Sequence, residues 1–189
     1  LKKYLSLVED LENTSYDFGK DMIPMMLNDG KKIFAYPFEG YWKDVGTIES
    51  LWQANMDLLH NVDEFNIFDP LWRIYCRHYE SMPQYIGADA KLSNSMISEG
   101  SIVNGKVVES VISSGVIIEE GAEIYNSVIM KNAFVGKGAK IYNSIVAEEA
   151  KIESGAKVGH EKIVSGKDMI TVVGNSDIIN SNSEVKKQL

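Results

Sequence analysis

A seventeen-residue repeat in the second half of this 189-residue chain limits the folds that are open to it. Residues 121–129 (GAEIYNSVI) recur almost unchanged as residues 138–146 (GAKIYNSIV), and residues 155–158 (GAKV) begin a third copy. A unit of this length is too short to enclose a core of its own. The repeat therefore predicts a stack of similar units that bury one shared core.

Aliphatic side chains within the repeat recur every five or six positions, and three such steps make up one copy. They are Ile118, Ile124, Ile129, Val135, Ile141, Val146, Ile152 and Val158. This spacing predicts three short strands per unit, each with one aliphatic side chain turned inward, as in a parallel β-helix of hexapeptide repeats. Asn94, Asn126 and Asn143 suit the turns, because asparagine tolerates left-handed backbone. Coils of this class wind left-handed, an exception to the usual crossover rule.

The chain before the repeats has the pattern of an α/β domain. Residues 2–11 predict a surface helix, and Asp21 is expected to cap a second helix that ends at residue 27. Residues 32–38 (KIFAYPF) predict a strand, and residues 48–59 predict an amphipathic helix with Thr47 as its N-cap. Strands followed by helices indicate the end of an α/β domain.

These patterns divide the chain into four parts. Residues 1–60 are expected to be the C-terminal part of an α/β domain, residues 61–83 a connector, and residues 84–174 the β-helix. Residues 175–189 are expected to form a polar tail that frays. Because the chain starts with Leu1 inside a helical pattern, we expect it to be a fragment of a longer protein.

Charge and composition exclude several classes of function. The formal net charge is −8, and the only two arginines lie in the connector, so no basic face for nucleic acid is expected. No apolar run approaches the roughly 20 residues that a membrane-spanning helix needs. The single cysteine excludes an internal disulfide framework and is typical of a cytoplasmic protein.

Four segments ahead of the repeats resemble the glucose-1-phosphate adenylyltransferases of bacterial glycogen biosynthesis. They are residues 17–21 (DFGKD), 35–38 (AYPF), 40–47 (GYWKDVGT) and 54–59 (ANMDLL), in the family's order and spacing. The resemblance implies the tail of a nucleotidyltransferase α/β domain followed by a left-handed β-helix. It also implies a homotetramer that converts ATP and glucose 1-phosphate to ADP-glucose and pyrophosphate with Mg²⁺. The family's phosphate-binding loop would lie before Leu1, so we expect this chain alone to be inactive.

The resemblance also implies roles for four residues. Asp44 corresponds to the family's metal-binding, catalytic carboxylate, and Trp42 to a residue of the glucose pocket. Asp17 corresponds to a carboxylate that accepts hydrogen bonds from sugar hydroxyls, with Phe18 beside it. The family usually has Ser-His before that aspartate, whereas this chain has Ser15-Tyr16, so the details of this wall differ.

Residue chemistry alone leaves other roles open. Trp42 could be a core residue, Asp44 could bind backbone N–H groups near the following helix start, and Asp17 could be a turn residue. The chain could also belong to a non-catalytic regulatory subunit of the same family. A hexapeptide acyltransferase is a further alternative, but it needs a histidine base, and only His160 lies in the repeats.

Overall fold

A computed structural model of the chain describes residues 1–61, 63–67, 69–72, 81–162 and 170–186. The chain divides into two compact units, Leu1–Gly40 and Tyr41–Leu189. Residues 62, 68 and 73–80 of the predicted connector, with both arginines, lie outside the described residues. Within the described ranges, no helix has the length and apolar character that crossing a membrane requires.

The first unit is a small helical cluster. It contains α1 (Lys2–Glu9), a π-helix (Phe18–Met22) and α2 (Ile23–Asn28). Tyr4 and Val8 on one face of α1 are buried against Met22. The Tyr4 hydroxyl also donates to Oδ2 of Asp29 at 2.8 Å, just after α2 ends. The two predicted helices are therefore present, and they pack on each other.

The predicted strand over residues 32–38 is absent. This stretch has no regular secondary structure, and Phe34 and Tyr36 are 85% and 87% exposed. A strand is stabilised by hydrogen bonds to a neighbouring strand. The described residues of the first unit offer no such neighbour, so the β-prone sequence stays unpaired.

The second unit begins with the helix predicted after Thr47, α3 (Ile48–His60). The Thr47 side chain accepts from the Ser50 backbone N–H at 3.1 Å, and the Ser50 hydroxyl oxygen accepts from the Thr47 backbone N–H at 3.0 Å. This reciprocal pair forms a capping box, which satisfies two otherwise unpaired backbone donors. The predicted cap is confirmed.

Within the described residues, the second unit also contains a series of short parallel strands. In chain order they are β1 (Tyr85–Ile86), β2 (Lys91–Ser93), β3 (Met96–Ile97), β4 (Ile102–Val103), β5 (Lys106–Val108), β6 (Val111–Ile112), β7 (Ile117–Ile118), β8 (Glu123–Tyr125), β9 (Val128–Ile129), β10 (Phe134–Val135), β11 (Lys140–Tyr142), β12 (Ser144–Val146), β13 (Lys151–Ile152), β14 (Lys157–Val158), β15 (Thr171–Val173), β16 (Ile178–Ile179) and β17 (Glu184–Val185). They form three sheets, ordered β1-β4-β7-β10-β13-β16, β17-β14-β11-β8-β5-β2 and β15-β12-β9-β6-β3. Every third strand therefore joins the same sheet, as in a parallel β-helix.

The strand register follows the sequence repeat. Ile124 pairs with Ile141, and Val135 pairs with Ile152, each seventeen residues further along the chain. All four side chains are completely buried inside the stack. The predicted β-helix of hexapeptide repeats is confirmed; its left-handed sense stays a prediction.

The coil corners carry the predicted left-handed turns. Asn94, Asn126 and Asn143 have φ values of 39°, 50° and 45°. The side-chain amide of Asn126 donates to Oδ1 of Asn143, and the amide of Asn143 donates to the His160 carbonyl at 2.7 Å. The asparagines thus tolerate the turn conformation and also link successive coils.

The β-helix extends further than the sequence indicated. β16 pairs with β13, and β17 pairs with β14, so the segment expected to be a polar tail from residue 175 adds two more strands to the stack. Ile179 is buried in the shared core and Val185 packs against it. A coil of this fold needs only one inward aliphatic per strand, so a polar composition is compatible with it. Residues 187–189 lie outside the described residues.

Candidate functional site

Residues 41–44 expose their side chains alternately. Tyr41 and Lys43 are partly buried and bind Asp57 on α3, whereas Trp42 and Asp44 are exposed. In an extended chain, side chains at i and i+2 share one side of the backbone. The alternation therefore gives the segment one side that binds α3 and another that presents Trp42 and Asp44 to solvent.

Asp57 receives three hydrogen bonds and is only 6% exposed. Its Oδ2 accepts from the Tyr41 hydroxyl at 2.9 Å and from the Lys43 ammonium at 2.7 Å. Its Oδ1 accepts from the Gln53 amide at 3.0 Å, one helical turn earlier. Both carboxylate oxygens are therefore paired, as burial of a charge requires.

The pKa values of this group reflect its burial and its partners. Burial alone would raise the pKa of Asp57, but the hydrogen bonds from Lys43, Gln53 and Tyr41 and the Lys43 charge lower it on balance. Burial, and then the hydrogen bond to Asp57 and its charge, raise the pKa of Tyr41 to about 12. At neutral pH the aspartate is ionised and the tyrosine is protonated, so the donor and acceptor roles are fixed.

Asp44 is exposed and organises a tight local turn. Its Oδ1 accepts from the Gly46 backbone N–H at 2.9 Å. A side chain at Gly46 would bring its Cβ to 3.1 Å from that oxygen, closer than most real contacts. Within the described residues, Oδ2 of Asp44 makes no hydrogen bond, so this oxygen is available to a cation.

An exposed carboxylate of this kind can serve as one ligand of a divalent metal ion. Mg²⁺ in phosphoryl-transfer sites is commonly bound by one or two carboxylates together with substrate phosphates and water. Asp44 offers one such carboxylate. In the described parts of the chain, no group of three or more His, Cys, Asp or Glu side chains is placed to hold a metal ion by itself.

The two neighbouring tryptophans have opposite environments. Trp42 is 76% exposed, and Trp52 on α3 is 9% exposed. The alternative that Trp42 is a core residue is therefore wrong for this structure. Its indole offers a flat apolar face beside Asp44, and such a face can stack on a sugar ring.

Asp17 and Phe18 lie in the first unit, whereas Trp42 and Asp44 lie in the second. The Asp17 Oδ1 accepts from the Lys20 backbone N–H at 2.8 Å and caps the π-helix. The helix that Asp21 was predicted to cap, α2, follows Met22 and has no side-chain cap, which corrects the sequence prediction. Phe18 is exposed directly after the cap. The structure therefore brings together two pairs of the predicted residues, one pair in each unit.

Asp21 supports the loop that carries Asp17. Its Oδ2 accepts from the backbone N–H groups of Ser15 and Asp17, each at 3.0 Å, and from the Ser15 hydroxyl at 2.7 Å. The Ser15 hydroxyl and the Asp17 backbone bond outweigh desolvation and lower the pKa of Asp21 to about 2. Asp21 is thus a loop-organising anion.

α3 joins the candidate site to the β-helix. Trp52 and Met56 pack on the outer face of the third sheet, with Ile145 beneath them. The Trp52 indole N–H donates to the Asn126 carbonyl at 2.9 Å. Near the end of the helix, Nε2 of His60 lies 3.0 Å from Oε2 of Glu109 at another coil corner.

Asp57 was not predicted from the sequence as a functional residue. Its signal was present, because an acidic residue directly follows Met56 on the face of α3 that is buried in the fold. Periodicity alone could not show that Tyr41 and Lys43 reach it, since they precede it by 16 and 14 residues in an irregular segment.

His160 does not resemble the free base of an acyltransferase. Its Nε2 lies 3.1 Å from the Lys186 carbonyl, and its own carbonyl accepts from Asn143. A general base must reach the proton that it removes. The histidine instead links the last coils of the stack.

Comparisons with known proteins agree with both parts of the chain. Residues 82–178 match the GlmU-like C-terminal hexapeptide family, and residues 2–61 match the nucleotidyl transferase family. The first match covers more than half of the chain. Two of the predicted parts, the nucleotidyltransferase segment and the hexapeptide repeats, are thus recognised independently.

Curated relatives carry the name glucose-1-phosphate adenylyltransferase. One from Clostridium botulinum strain Alaska E43 is 60% identical over 116 residues, which are 61% of this chain and 30% of the relative. One from Geobacillus stearothermophilus is 52% identical over 124 residues, 66% of this chain and 32% of the relative. The chain spans about a third of the length of the curated relatives that it matches. The chain therefore belongs to the GlmU-like C-terminal hexapeptide family, joined to a nucleotidyl transferase segment and related to the glucose-1-phosphate adenylyltransferases.

Proposed function

We propose that this chain works within a glucose-1-phosphate adenylyltransferase of glycogen biosynthesis. In that reaction a phosphate oxygen of glucose 1-phosphate bonds to the α-phosphorus of ATP. The bond from that phosphorus to the bridging oxygen of the β-phosphate breaks, and pyrophosphate leaves. The products are ADP-glucose and pyrophosphate. Support comes from relatives of that name at 50–60% identity.

One structural observation carries the assignment of the site. Trp42 and Asp44 are presented together on a segment that Asp57 binds from its other side. In this proposal Asp44 would hold Mg²⁺. The ion would neutralise charge on the phosphate oxygens as they approach. Trp42 would stack on the glucose ring and exclude water from one of its faces.

In this proposal the first unit has sugar-binding residues of its own. The Oδ2 of Asp17 would accept hydrogen bonds from glucose hydroxyls, because Oδ1 already caps the π-helix. The exposed Phe18 ring would form an apolar wall next to it. Residues 1–60 would then belong to the nucleotidyltransferase domain, and residues 84–174 to the β-helix that mediates assembly into a homotetramer. The phosphorylated substrates and the single cysteine suit a cytoplasmic enzyme.

The test compares two aspartates in an enzyme of the relatives' full length that contains this chain. Asp44→Asn should lower the rate of pyrophosphate release from ATP and glucose 1-phosphate by about two orders of magnitude, with little change in thermal stability. Asp69→Asn is the matched control, because Oδ1 of Asp69 accepts from the Leu71 backbone N–H at 2.8 Å in a similar turn outside the motif. It should leave turnover unchanged.

Wild-type turnover by the Asp44→Asn variant would remove Asp44 from the site. A wild-type protein that releases no pyrophosphate but alters the activity of a catalytic partner would favour the regulatory-subunit alternative. A strictly monomeric enzyme in light scattering would contradict the proposed tetramer.

A further inference from the structure

We propose that Asp57 is the positioning residue of the candidate site, and that it acts through Tyr41 and Lys43 on Trp42 and Asp44. This inference rests on the proposed function. Asp57 touches none of the groups proposed to meet substrate. Its effect would be to fix the conformation of the segment that carries them.

The segment has little else to hold it. Within the described residues, no backbone–backbone hydrogen bond involves residues 41–46. Its links to the rest of the second unit include the hydrogen bonds of Tyr41 and Lys43 to Asp57 and the stacking of the Tyr41 ring on Phe65, with centroids 4.2 Å apart. Asp57 accepts both hydrogen bonds, so this one side chain determines the direction in which the Tyr41 and Lys43 side chains point.

Both hydrogen bonds converge on one oxygen of a side chain that is 9% exposed. Oδ2 of Asp57 accepts from Tyr41 at 2.9 Å and from Lys43 at 2.7 Å. Charge-assisted hydrogen bonds of this length are about twice as strong as neutral ones. Asp57 sits on a regular helix, and Trp52 and Met56 of that helix pack on the outer face of the third sheet, which fixes the position of Asp57. The hydrogen bonds to Asp57 therefore hold the irregular segment in a fixed position against α3.

The Lys43 contact has a second consequence for Asp44. The two residues are adjacent, and their charges are opposite. While the Lys43 ammonium is bound to Asp57, it is held on the side of the backbone that faces α3. Without the Asp57 carboxylate, Lys43 would be free to pair with the exposed Asp44 and compete with a cation for it. Asp57 therefore keeps the Asp44 charge available.

A merely structural role makes a different prediction from a positioning role. A buried ion pair that only stabilises the fold would, when removed, reduce the amount of active enzyme. A positioning residue would instead change the affinity for what Trp42 and Asp44 bind. The apparent KM for glucose 1-phosphate and the Mg²⁺ concentration for half-maximal activity are therefore the informative measurements.

The experiment uses Asp57→Asn in the full-length enzyme. We expect the KM for glucose 1-phosphate and the half-maximal Mg²⁺ concentration each to rise about tenfold or more, as for loss of a group that orients a ligand. The KM for ATP, measured at saturating Mg²⁺, should change less than about twofold, because the phosphate-binding loop that the resemblance implies lies outside this segment. Trp52→Phe is the control: it removes the hydrogen bond to Asn126, lowers stability, and should leave these constants unchanged.

A double-mutant cycle separates this inference from the proposed function. If Asp57 acts through Asp44, Asp57→Asn should have much less effect on turnover in an Asp44→Asn enzyme than in the wild type. Additive effects, or unchanged KM and Mg²⁺ values in Asp57→Asn, would overturn the positioning role while a slow Asp44→Asn enzyme still supported the site. If the Asp44→Asn enzyme has wild-type turnover, the result contradicts the proposed function itself, and not only the positioning role of Asp57.

The donors provide a second route if Asp57→Asn does not fold. Lys43→Met and Tyr41→Phe each remove one hydrogen bond and keep the carboxylate. Both variants should raise the KM for glucose 1-phosphate, and Lys43→Met should raise it more than Tyr41→Phe does, because it loses the shorter, charged contact. If both Lys43→Met and Tyr41→Phe have the wild-type KM for glucose 1-phosphate and the wild-type half-maximal Mg²⁺ concentration, the proposal is refuted.

Discussion

The indole N–H of Trp52 donates to the backbone carbonyl of Asn126 at 2.9 Å, across 74 positions of the chain. One partner lies on the helix that carries Asp57, and the other lies at a corner of the β-helix. The helix after the Trp42–Asp44 segment is therefore part of the β-helix body in this chain. α3 lies within the residues that match the nucleotidyl transferase family, yet it packs on hexapeptide coils.

Removal of the Trp52 side chain should be costly to stability. Trp52 is 9% exposed and packs with Met56 on Val128 and Ile145. Trp52→Ala would leave a cavity and an unpaired Asn126 carbonyl. We expect the free energy of unfolding to fall by about 3–5 kcal/mol, measured by urea denaturation.

Trp42→Ala provides the matched comparison, because the same residue type is 76% exposed there. Its unfolding free energy should stay within about 0.5 kcal/mol of the wild type, while glucose 1-phosphate binding by the full-length enzyme weakens. Equal losses of stability in the two variants would contradict the two environments described above.

The repeat made the β-helix predictable, because its seventeen-residue spacing equals the strand register that pairs Ile124 with Ile141. The turn residues were predictable for a separate reason, because asparagine is among the few residues that accept positive φ. The Thr47 cap was predictable from local sequence alone, since a capping box spans only four residues.

Features that depend on distant partners were not predictable. The strand pattern of residues 32–38 requires a neighbour that the described first unit does not supply. Asp57 is bound by residues from an irregular segment, and no periodic signal reports that contact. The last two strands, β16 and β17, were hidden by their polar composition, although Ile179 enters the core as the fold requires.

The corner asparagines should show a specific order of stabilities. Asn126 has a φ of 50° and donates its side-chain amide to Asn143. Asn126→Ala loses this hydrogen bond. It also puts alanine, which has no polar side chain to stabilise left-handed backbone, at a positive φ. Together these changes should lower the free energy of unfolding by about 2 kcal/mol.

Asn126→Gly loses the same hydrogen bond but accepts the backbone conformation freely. It should therefore be more stable than the alanine variant and less stable than the wild type in chemical denaturation. An alanine variant as stable as the glycine variant would show that the turn conformation contributes nothing.

Tyr41 should make stability depend on alkaline pH. Its pKa is raised from 10.0 to about 12 by burial and by the Asp57 carboxylate. Because the folded state holds the proton more tightly than the unfolded state, this contribution is fully present below pH 10 and is lost as the pH rises towards about 12. Burial also raises the pKa values of Tyr4 and Tyr142. Ultraviolet difference spectra of tyrosinate formation should therefore contain several late-titrating groups, and Tyr41→Phe should remove one of them. An unchanged late titration in that variant would assign it to another tyrosine.

Asp21 should make the first unit sensitive to acid. Its pKa lies near 2, below the usual 3.8, chiefly because the Ser15 hydroxyl and the Asp17 backbone N–H donate to its carboxylate. Since the folded state favours the ionised form, the stabilisation is present above pH 3.8 and is lost as the pH falls to about 2. The carboxyl chemical shift of Asp21, followed by NMR against pH, should report this low value directly. Ser15→Ala should raise the pKa of Asp21, whereas Ser15→Thr keeps a hydroxyl at the same position and should leave it low. If both variants titrate like the wild type, the hydroxyl does not set the pKa, and the loop that carries Asp17 and Phe18 must be held by its backbone hydrogen bonds alone.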